Sequence, residues 1–315
     1  MYMEQKMDLS IITISYNSKE YIDGCILSVF TSTVSCSYEH FVVDNHSTDG
    51  TAEFVEKEYS QYVVLIKNKK NLGFAKANNQ AFKYATGRYV LFLNPDMRIC
   101  YGTLDSLIAW MDAHPETGIG SCKLVIPYCT HLQTAISKIP SPEFSTSHPL
   151  LRPIRFLTPL PFLPYFLNLK SFGEVLQRHF LNASFEDETI QEIEQPRGAF
   201  IFVRRELLNQ LGHAFDPRFF IWFEDVDLCR EVKKMGAKIF YLPQVRCIDY
   251  RGRSFNTQSN SWKYLRLSRS FIAYTKKWHS PLHLLWLYFA IPIGFLLRVP
   301  KWGFRETWTA LIRKN

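Results

Sequence analysis

From Leu9 to Ile126 short apolar runs rich in β-branched residues alternate with stretches whose apolar positions recur at helical spacing. Such alternation predicts βαβ units around a mostly parallel sheet. SIITIS, residues 10–15, reads as the first strand, followed by a helix through Tyr21–Phe30 and a strand in HFVVD, residues 40–44. Thr51–Glu58 reads as a short helix that Asp49 or the hydroxyls of Ser47 and Thr48 could cap. YVVLIK, residues 62–67, is the third strand, and a helix over Phe74–Tyr84 is expected to close at Gly87. RYVLFLN, residues 88–94, is apolar on both faces, as suits a central strand covered by helices on both sides. Further on, the pattern predicts a strand at 198–203, a helix over Arg204–Leu211, a helix over Asp225–Met235 ended by Gly236, and a strand over Ala237–Tyr241.

Two stretches break the alternation. Between Ile136 and Leu169 prolines stand at 140, 142, 149, 153, 159, 161 and 164 among Leu, Phe and Tyr, which reads as an insertion or flap. Near the C-terminus a segment with helical spacing and several bases, Trp262–Trp278, precedes Leu282–Leu297, which is almost wholly apolar. As a helix that apolar run would rise about 24 Å, short of the ~20 residues a bilayer span needs, so a monotopic or re-entrant segment is expected. The domain reading is therefore a catalytic unit over 1–260 with an insertion at about 130–195, and a helical, membrane-associating extension over 261–315.

Composition narrows the partners. The 315 residues are 47% hydrophobic, enough for a large core, and carry a net charge of +8 with a pI near 9.0. An excess of positive charge favours an anionic partner: nucleic acid, a nucleotide diphosphate or an acidic membrane surface. The seven cysteines form no CxxC pair and no zinc-site spacing. Met1–Asp8 has charged residues and no apolar core, so no signal peptide is expected and a cytoplasmic location is favoured. Neither a GxGxxG loop, a GxxxxGK[ST] loop nor an HExxH helix occurs, which removes the main support for dehydrogenase, NTPase and zinc-protease readings. No recognised nucleic-acid motif interleaves the bases, so no nucleic-acid partner is expected.

In a doubly wound sheet ligands bind beyond the carboxyl ends of the strands. The polar residues at those ends are Ser15-Tyr16-Asn17, Asp44-Asn45, Asn71 with Gly73, and Asn94-Pro95-Asp96. Taken singly, each is an ordinary set of turn residues. In order and spacing, SIITISYNSKEYIDGCILSV, VVDNHSTDGT, KNLGFAKANNQAF, GRYVLFLNPDM and the stretch from GAFIFV through EDVDLC to IFYLP resemble the family 2 nucleotide-sugar glycosyltransferases, with LNPD and EDVDL most like the rhamnosyltransferase-like branch. The resemblance covers residues 9–126 and 196–255 and implies a GT-A fold, a Rossmann-like, mostly parallel central sheet, with the proline-rich insertion and the C-terminal helical extension added.

The resemblance also implies roles. Asp44 would hold the base or ribose of the donor, with Ser15, Tyr16 and Asn17 beside the base and Asn71, Gly73 and Asn78 bordering the nucleotide. Asp96 occupies the last position of the DxD-type motif and would help bind Mg²⁺ or Mn²⁺, with Asn94 in place of the first acid. Where the family commonly has a further metal-binding His, this chain has Asp249, or Tyr250 if the register shifts by one. Asp225 would be the base that activates the acceptor hydroxyl, Glu224 would bind the acceptor or assist, and Asp227 would be structural. Arg251 and Arg253 could reach the diphosphate, or be solvated surface bases. The function so implied is inverting transfer of a sugar, with rhamnose a candidate, from a nucleotide-diphosphate donor to a glycan acceptor. Branch members often extend polyprenyl-diphosphate-linked glycans in cell-surface polysaccharide assembly. The insertion, the bases Lys263, Arg266, Arg269, Lys276 and Lys277, and the run from Leu282 together suggest peripheral attachment to the inner face of the cell membrane. Two rivals stand beside this reading. A sugar nucleotidyltransferase would need a Gly-rich loop where SYNSKEY stands, and a nucleotide-sugar-binding scaffold would keep the fold without turnover.

Overall fold

The computed structural model describes residues 7–33, 35–125, 188–250 and 258–302. Most of the proline-rich insertion and the arginines at 251 and 253 lie outside these residues.

Strand β1 (Leu9–Ser15) is buried at every position, because helices cover both faces of the sheet around it. It pairs in parallel with β2 (Tyr38–Asp44), which pairs in parallel with β3 (Val64–Lys67), and on its other side with β4 (Tyr89–Leu93). Among the described residues one nine-stranded sheet runs β3-β2-β1-β4-β8-β6-β9-β5, with β7 (Gln191–Glu192) on β9. Strands β6 (Thr117–Val125) and β9 (Lys238–Asp249) are parallel to each other. They run the same way as β4, since β8 (Phe200–Arg204) lies antiparallel between β4 and β6. Only β8, β7 and the short β5 (Met97–Ile99) oppose the rest. The expected α/β class with a mostly parallel central sheet is thus observed.

Helix α1 (Lys19–Ser32) buries Ile22, Cys25, Ile26 and Val29, one face of a 3.6-residue period. In α4 (Thr103–Ala113) the same spacing sets Leu104, Leu107, Ile108 and Met111 against the sheet. Helices α2 (Thr51–Tyr59) and α3 (Phe74–Phe82) follow β2 and β3, and α5 (Arg205–Leu211) and α6 (Glu224–Lys234) precede β9.

Two local expectations change. The residue before α2 is Gly50, in a left-handed conformation, and Asp49 accepts the Thr51 N–H from one position further out, at 3.0 Å. Gly87 does not close α3, which ends five residues earlier at Phe82. A Cβ at 87 would lie 2.4 Å from the Ser10 nitrogen, so this glycine serves the close approach of β4's entry to β1. The sequence reading named no element between Asp96 and Ile126, where β5, α4 and β6 stand. TGIGSCKLV conceals β6 because Gly118 and Gly120 leave room for Leu207, Val232 and Leu107 from the covering helices.

At the C-terminus α7 (Asn260–Trp278) is capped by Ser259, whose side chain accepts the Trp262 N–H at 3.2 Å, and α8 (Pro281–Trp302) packs back on it. Leu287 and Ala290 of α8 join Tyr264, Phe271 and Tyr274 of α7 in the main hydrophobic cluster. Among the described residues no helix is long and apolar enough to cross a membrane.

Candidate active site

Strand register fixes the first wall of the cleft. Ser15, Asp44 and Lys67 are neighbours in a row across the ends of β1, β2 and β3. Ile12 pairs with Phe92, so the same level on β4 falls within Asn94-Pro95-Asp96, immediately past that strand's end. Four segments distant in sequence therefore open onto one edge of the sheet.

The turn after β1 is stitched to the loop after β2. Asn17, in a left-handed conformation, accepts the Thr48 N–H on its Oδ1 at 2.7 Å and donates its own N–H to Ser47 Oγ at 2.9 Å. Tyr16 lies half-buried beside them. Asp44 is buried and accepts the Ser47 N–H on Oδ2 at 3.0 Å. Its Oδ1 has no hydrogen-bond partner among the described residues, nor has the buried Ser15 Oγ. A buried carboxylate oxygen left open is an acceptor suited to a donor group on a ligand.

Other expected nucleotide contacts are committed to the protein. Asn71 Oδ1 accepts from Asn45 Nδ2 and from the Gly73 N–H, each at 2.9 Å. Asn45 Oδ1 in turn accepts the Leu72 N–H, so Asn45 organises the loop that leads into α3. Gly73 has φ +82°, and a Cβ there would lie 2.5 Å from the Phe220 carbonyl oxygen. Asn78 is buried on α3, donating to the Phe74 carbonyl at 2.9 Å, with its own Oδ1 unpartnered among the described residues.

Beyond β4 the chain turns directly into β5. Met97 pairs with Asp249, and the Tyr250 N–H donates to the Asp96 carbonyl at 3.1 Å, which brings the buried Asp96 and Asp249 together at backbone level. Tyr250 lies under the Arg98 guanidinium, 5.2 Å from the ring centroid. Among the described residues no group of three or more His, Cys, Asp or Glu could hold a metal ion. Two hard-oxygen side chains still suit a Mg²⁺ or Mn²⁺ that takes its remaining ligands from a diphosphate and water.

The opposite wall is the start of α6. Trp222 and Phe223, immediately before it, both have positive φ, 64° and 70°. Bulky residues in that region carry strain of about 1–3 kcal/mol each, held by surrounding packing. That packing comes from α7: Phe223 stacks on Phe271 at 5.1 Å, Trp222 meets Trp262 at 6.2 Å, and Ser270 Oγ donates to the Ile221 carbonyl at 2.7 Å. The strained pair delivers Glu224 and Asp225 at the helix N-terminus, where the dipole favours carboxylates.

The two acids differ in surroundings. Burial, then the adjacent Asp225, pushes the Glu224 carboxyl well above its usual range, and its Oε2 has no partner among the described residues. Asp225 is half-exposed; burial also raises it, but the Val226 and Gly198 N–H groups and the positive charge of Arg197 oppose that rise. Asp225 is thus the more readily ionised member of the pair. Asp227, one step on, is fully buried between Lys277 Nζ at 2.7 Å and Trp278 Nε1 at 2.6 Å.

A residue that sequence reasoning missed joins the two walls. The Arg197 guanidinium is 4.0 Å from Asp249 on one side and acts electrostatically on Asp225 on the other. A Cβ on Gly198 would lie 2.6 Å from Asp225 Oδ2, and the Ala199 carbonyl accepts the Asn94 N–H at 3.0 Å. Residues 197–199 therefore couple the end of β4 to the start of α6. The available signal was an arginine abutting GAF at a strand entrance, weak by itself.

Comparison with known proteins adds to this geometry. Residues 10–165 match the family model described as Glycosyl transferase family 2. A stretch of 110 residues, 34% of the chain, is 31% identical to the minor teichoic acid biosynthesis protein GgaB of Bacillus subtilis (strain 168) and spans 12% of it. Over 261 residues, 78% of this chain and 77% of the relative, the chain is 23% identical to the N-acetylglucosaminyl-diphospho-decaprenol L-rhamnosyltransferase of Mycobacterium tuberculosis (strain ATCC 25618 / H37Rv). Among solved structures, the mannosyltransferase PcManGT from Pyrobaculum calidifontis, in complex with GDP-Man and Mn²⁺, superposes with a TM-score of 0.55 at 18% identity. That match covers 98% of this chain and 79% of the other, and it shows the fold.

Proposed function

Because the chain belongs to glycosyl transferase family 2, we propose that it transfers a sugar, with inversion, from a nucleotide-diphosphate donor to a hydroxyl of a polyprenyl-diphosphate-linked glycan. Rhamnose is the candidate sugar and cell-surface polysaccharide the destination, both resting on the similarity to the mycobacterial rhamnosyltransferase. The observation that carries the reading is the joint at residues 197–199, which links Asp225, the more readily ionised of the two acids, to the Asp96 and Asp249 end of the sheet.

In this mechanism the open Oδ1 of Asp44 accepts a hydroxyl or amide hydrogen of the nucleoside, and Ser15, Tyr16 and Asn17 form the adjoining wall. Asn71, Gly73 and Asn78 act one step back, shaping the loop and helix that border the nucleotide. Asp96 and Asp249 would hold a divalent cation, with Asn94 beside it; when bound, the ion neutralises charge on the departing diphosphate. Asp225 takes the proton of the acceptor hydroxyl as that oxygen attacks the anomeric carbon, and the bond to the diphosphate oxygen breaks on the opposite face. Glu224, whose carboxyl burial pushes well above its usual range, is suited to donate a hydrogen bond to the acceptor when protonated.

The test is a panel of nucleotide sugars assayed for hydrolysis and transfer with and without Mn²⁺, followed by NMR of the product linkage. Inverted anomeric configuration is expected, and Asp225→Asn should lower kcat by at least about 100-fold, the usual scale of general-base catalysis. A retained configuration would rule out single displacement, and donor binding without any turnover would favour the scaffold.

A further inference from the structure

The outward face of α8 has no counterpart in the catalytic reading. Leu282, Leu285, Trp286, Phe289, Ile293 and Leu296 follow one another at helical spacing and are exposed, Leu282 at 71%, Trp286 at 68% and Leu296 at 68%. No polar side chain interrupts this stripe. Isolated exposed apolar residues are ordinary, whereas a continuous stripe along a helix marks a surface meant to be covered. The inner face is already used, since Tyr264 Oη donates to the Ile291 carbonyl at 2.8 Å and the Tyr264 ring packs on Phe295. The helix therefore has one side available and cannot be surrounded by lipid.

Charge selects the occupant. From Asn260 to Trp302 the sequence contains Lys263, Arg266, Arg269, Lys276, Lys277, Arg298 and Lys301 and not one Asp or Glu. Two of these bases are engaged internally: Arg266 lies 3.9 Å over the Phe220 ring, and Lys277 is held by Asp216, Asp227 and Glu231. Arg269 and Lys276 remain exposed. A second copy of this chain would set like charges against each other, while an anionic lipid surface complements them and accepts the apolar stripe and the Trp286 ring at its interface.

We propose that α8 lies flat in the headgroup region of an anionic bilayer through this stripe. The helix beneath it is α7, which also clamps residues 221–223 through Ser270 and Phe271. Docking through α8 therefore places the acceptor side of the cleft one helix layer from the lipid surface. Only this last step rests on the proposed lipid-linked acceptor; the docking itself does not.

The experiment is flotation of the full-length protein with vesicles of phosphatidylcholine alone or containing phosphatidylglycerol. Wild type should float with the anionic vesicles. Trp286→Glu/Phe289→Glu should weaken that partition by about tenfold or more, and Arg269→Glu/Lys276→Glu should make the remaining binding indifferent to phosphatidylglycerol. Donor hydrolysis in solution should be unchanged in both, which verifies folding independently of lipid. Failure of wild type to float, flotation of the apolar-face variant at wild-type levels, or a variant that only converts a dimer to a monomer would each overturn the proposal. Absence of donor hydrolysis in wild type would instead count against the transferase reading and leave the flotation result standing.

Discussion

At the scale of single residues the site depends on how unequal environments separate two adjacent acids. Glu224 is sealed in, with one carboxyl oxygen unpartnered among the described residues, whereas Asp225 meets two N–H groups and a guanidinium. If Asp225 is the base, kcat/KM falls as pH drops through its raised pKa, so the acid limb should lie above the range of a free aspartate. Asp225→Asn should abolish that limb, and Glu224→Gln should keep it. Arg197 lowers the Asp225 pKa, so Arg197→Met should shift the limb to higher pH. A pH–rate profile for the three variants checks all of this; an unmoved limb in Arg197→Met would deny the electrostatic link across the joint. Asp44, Asp96 and Glu224-Asp225 could be singled out from sequence by the order and spacing of the segments that carry them, since each alone is an ordinary turn or helix-start residue. Arg197 could not, because its meaning depends on Asp225 and Asp249, two carboxylates both more than 25 residues further along the chain.

At the scale of elements the decisive contact is between α6 and α7. Lys277 Nζ reaches Asp216 at 3.1 Å, Asp227 at 2.7 Å and Glu231 at 2.6 Å, tying the catalytic helix to the loop before Phe219. Sequence alone groups Lys277 with the membrane-docking bases, and the fold corrects that: the side chain is turned inward, because Asp227 is fully buried and needs a cation. Lys277→Met should destabilise the protein by about 3–5 kcal/mol, the usual cost of orphaning a buried charge, with Lys277→Met/Asp227→Asn recovering part of it. Urea denaturation of the singles and the double measures the coupling. If the single variant were as stable as wild type, the clasp would have no part in holding α6.

At the scale of the whole molecule, stability carries a titration buried in the sheet. His40 on β2 is enclosed beside Thr13 Oγ1, 3.0 Å away, and burial pushes its pKa down to about 3. A histidine whose folded pKa is depressed stabilises the fold above the unfolded value of about 6.5 and loses that contribution as pH falls towards the folded one. The loss amounts to about 1.4 kcal/mol per pH unit from this group. Glu224 and Asp225, raised in the fold, act with the opposite sign, so the comparison that isolates His40 is wild type against His40→Gln. Urea midpoints measured between pH 7 and pH 5 should fall more steeply for wild type; parallel curves would contradict a buried neutral imidazole. The sequence by itself determined the α/β class, the parallel core from β1 to β4, and the strand-end residues, because periodicity and turn chemistry are local properties that a chain cannot hide. Tertiary structure alone decided that β8 enters antiparallel beside β4, that Gly118 and Gly120 belong to a strand, that residues 197–199 join two walls, and which bases of α7 face inward. Each of these is a relation between segments far apart in the chain, where close packing and the need to pair buried charge override local preference.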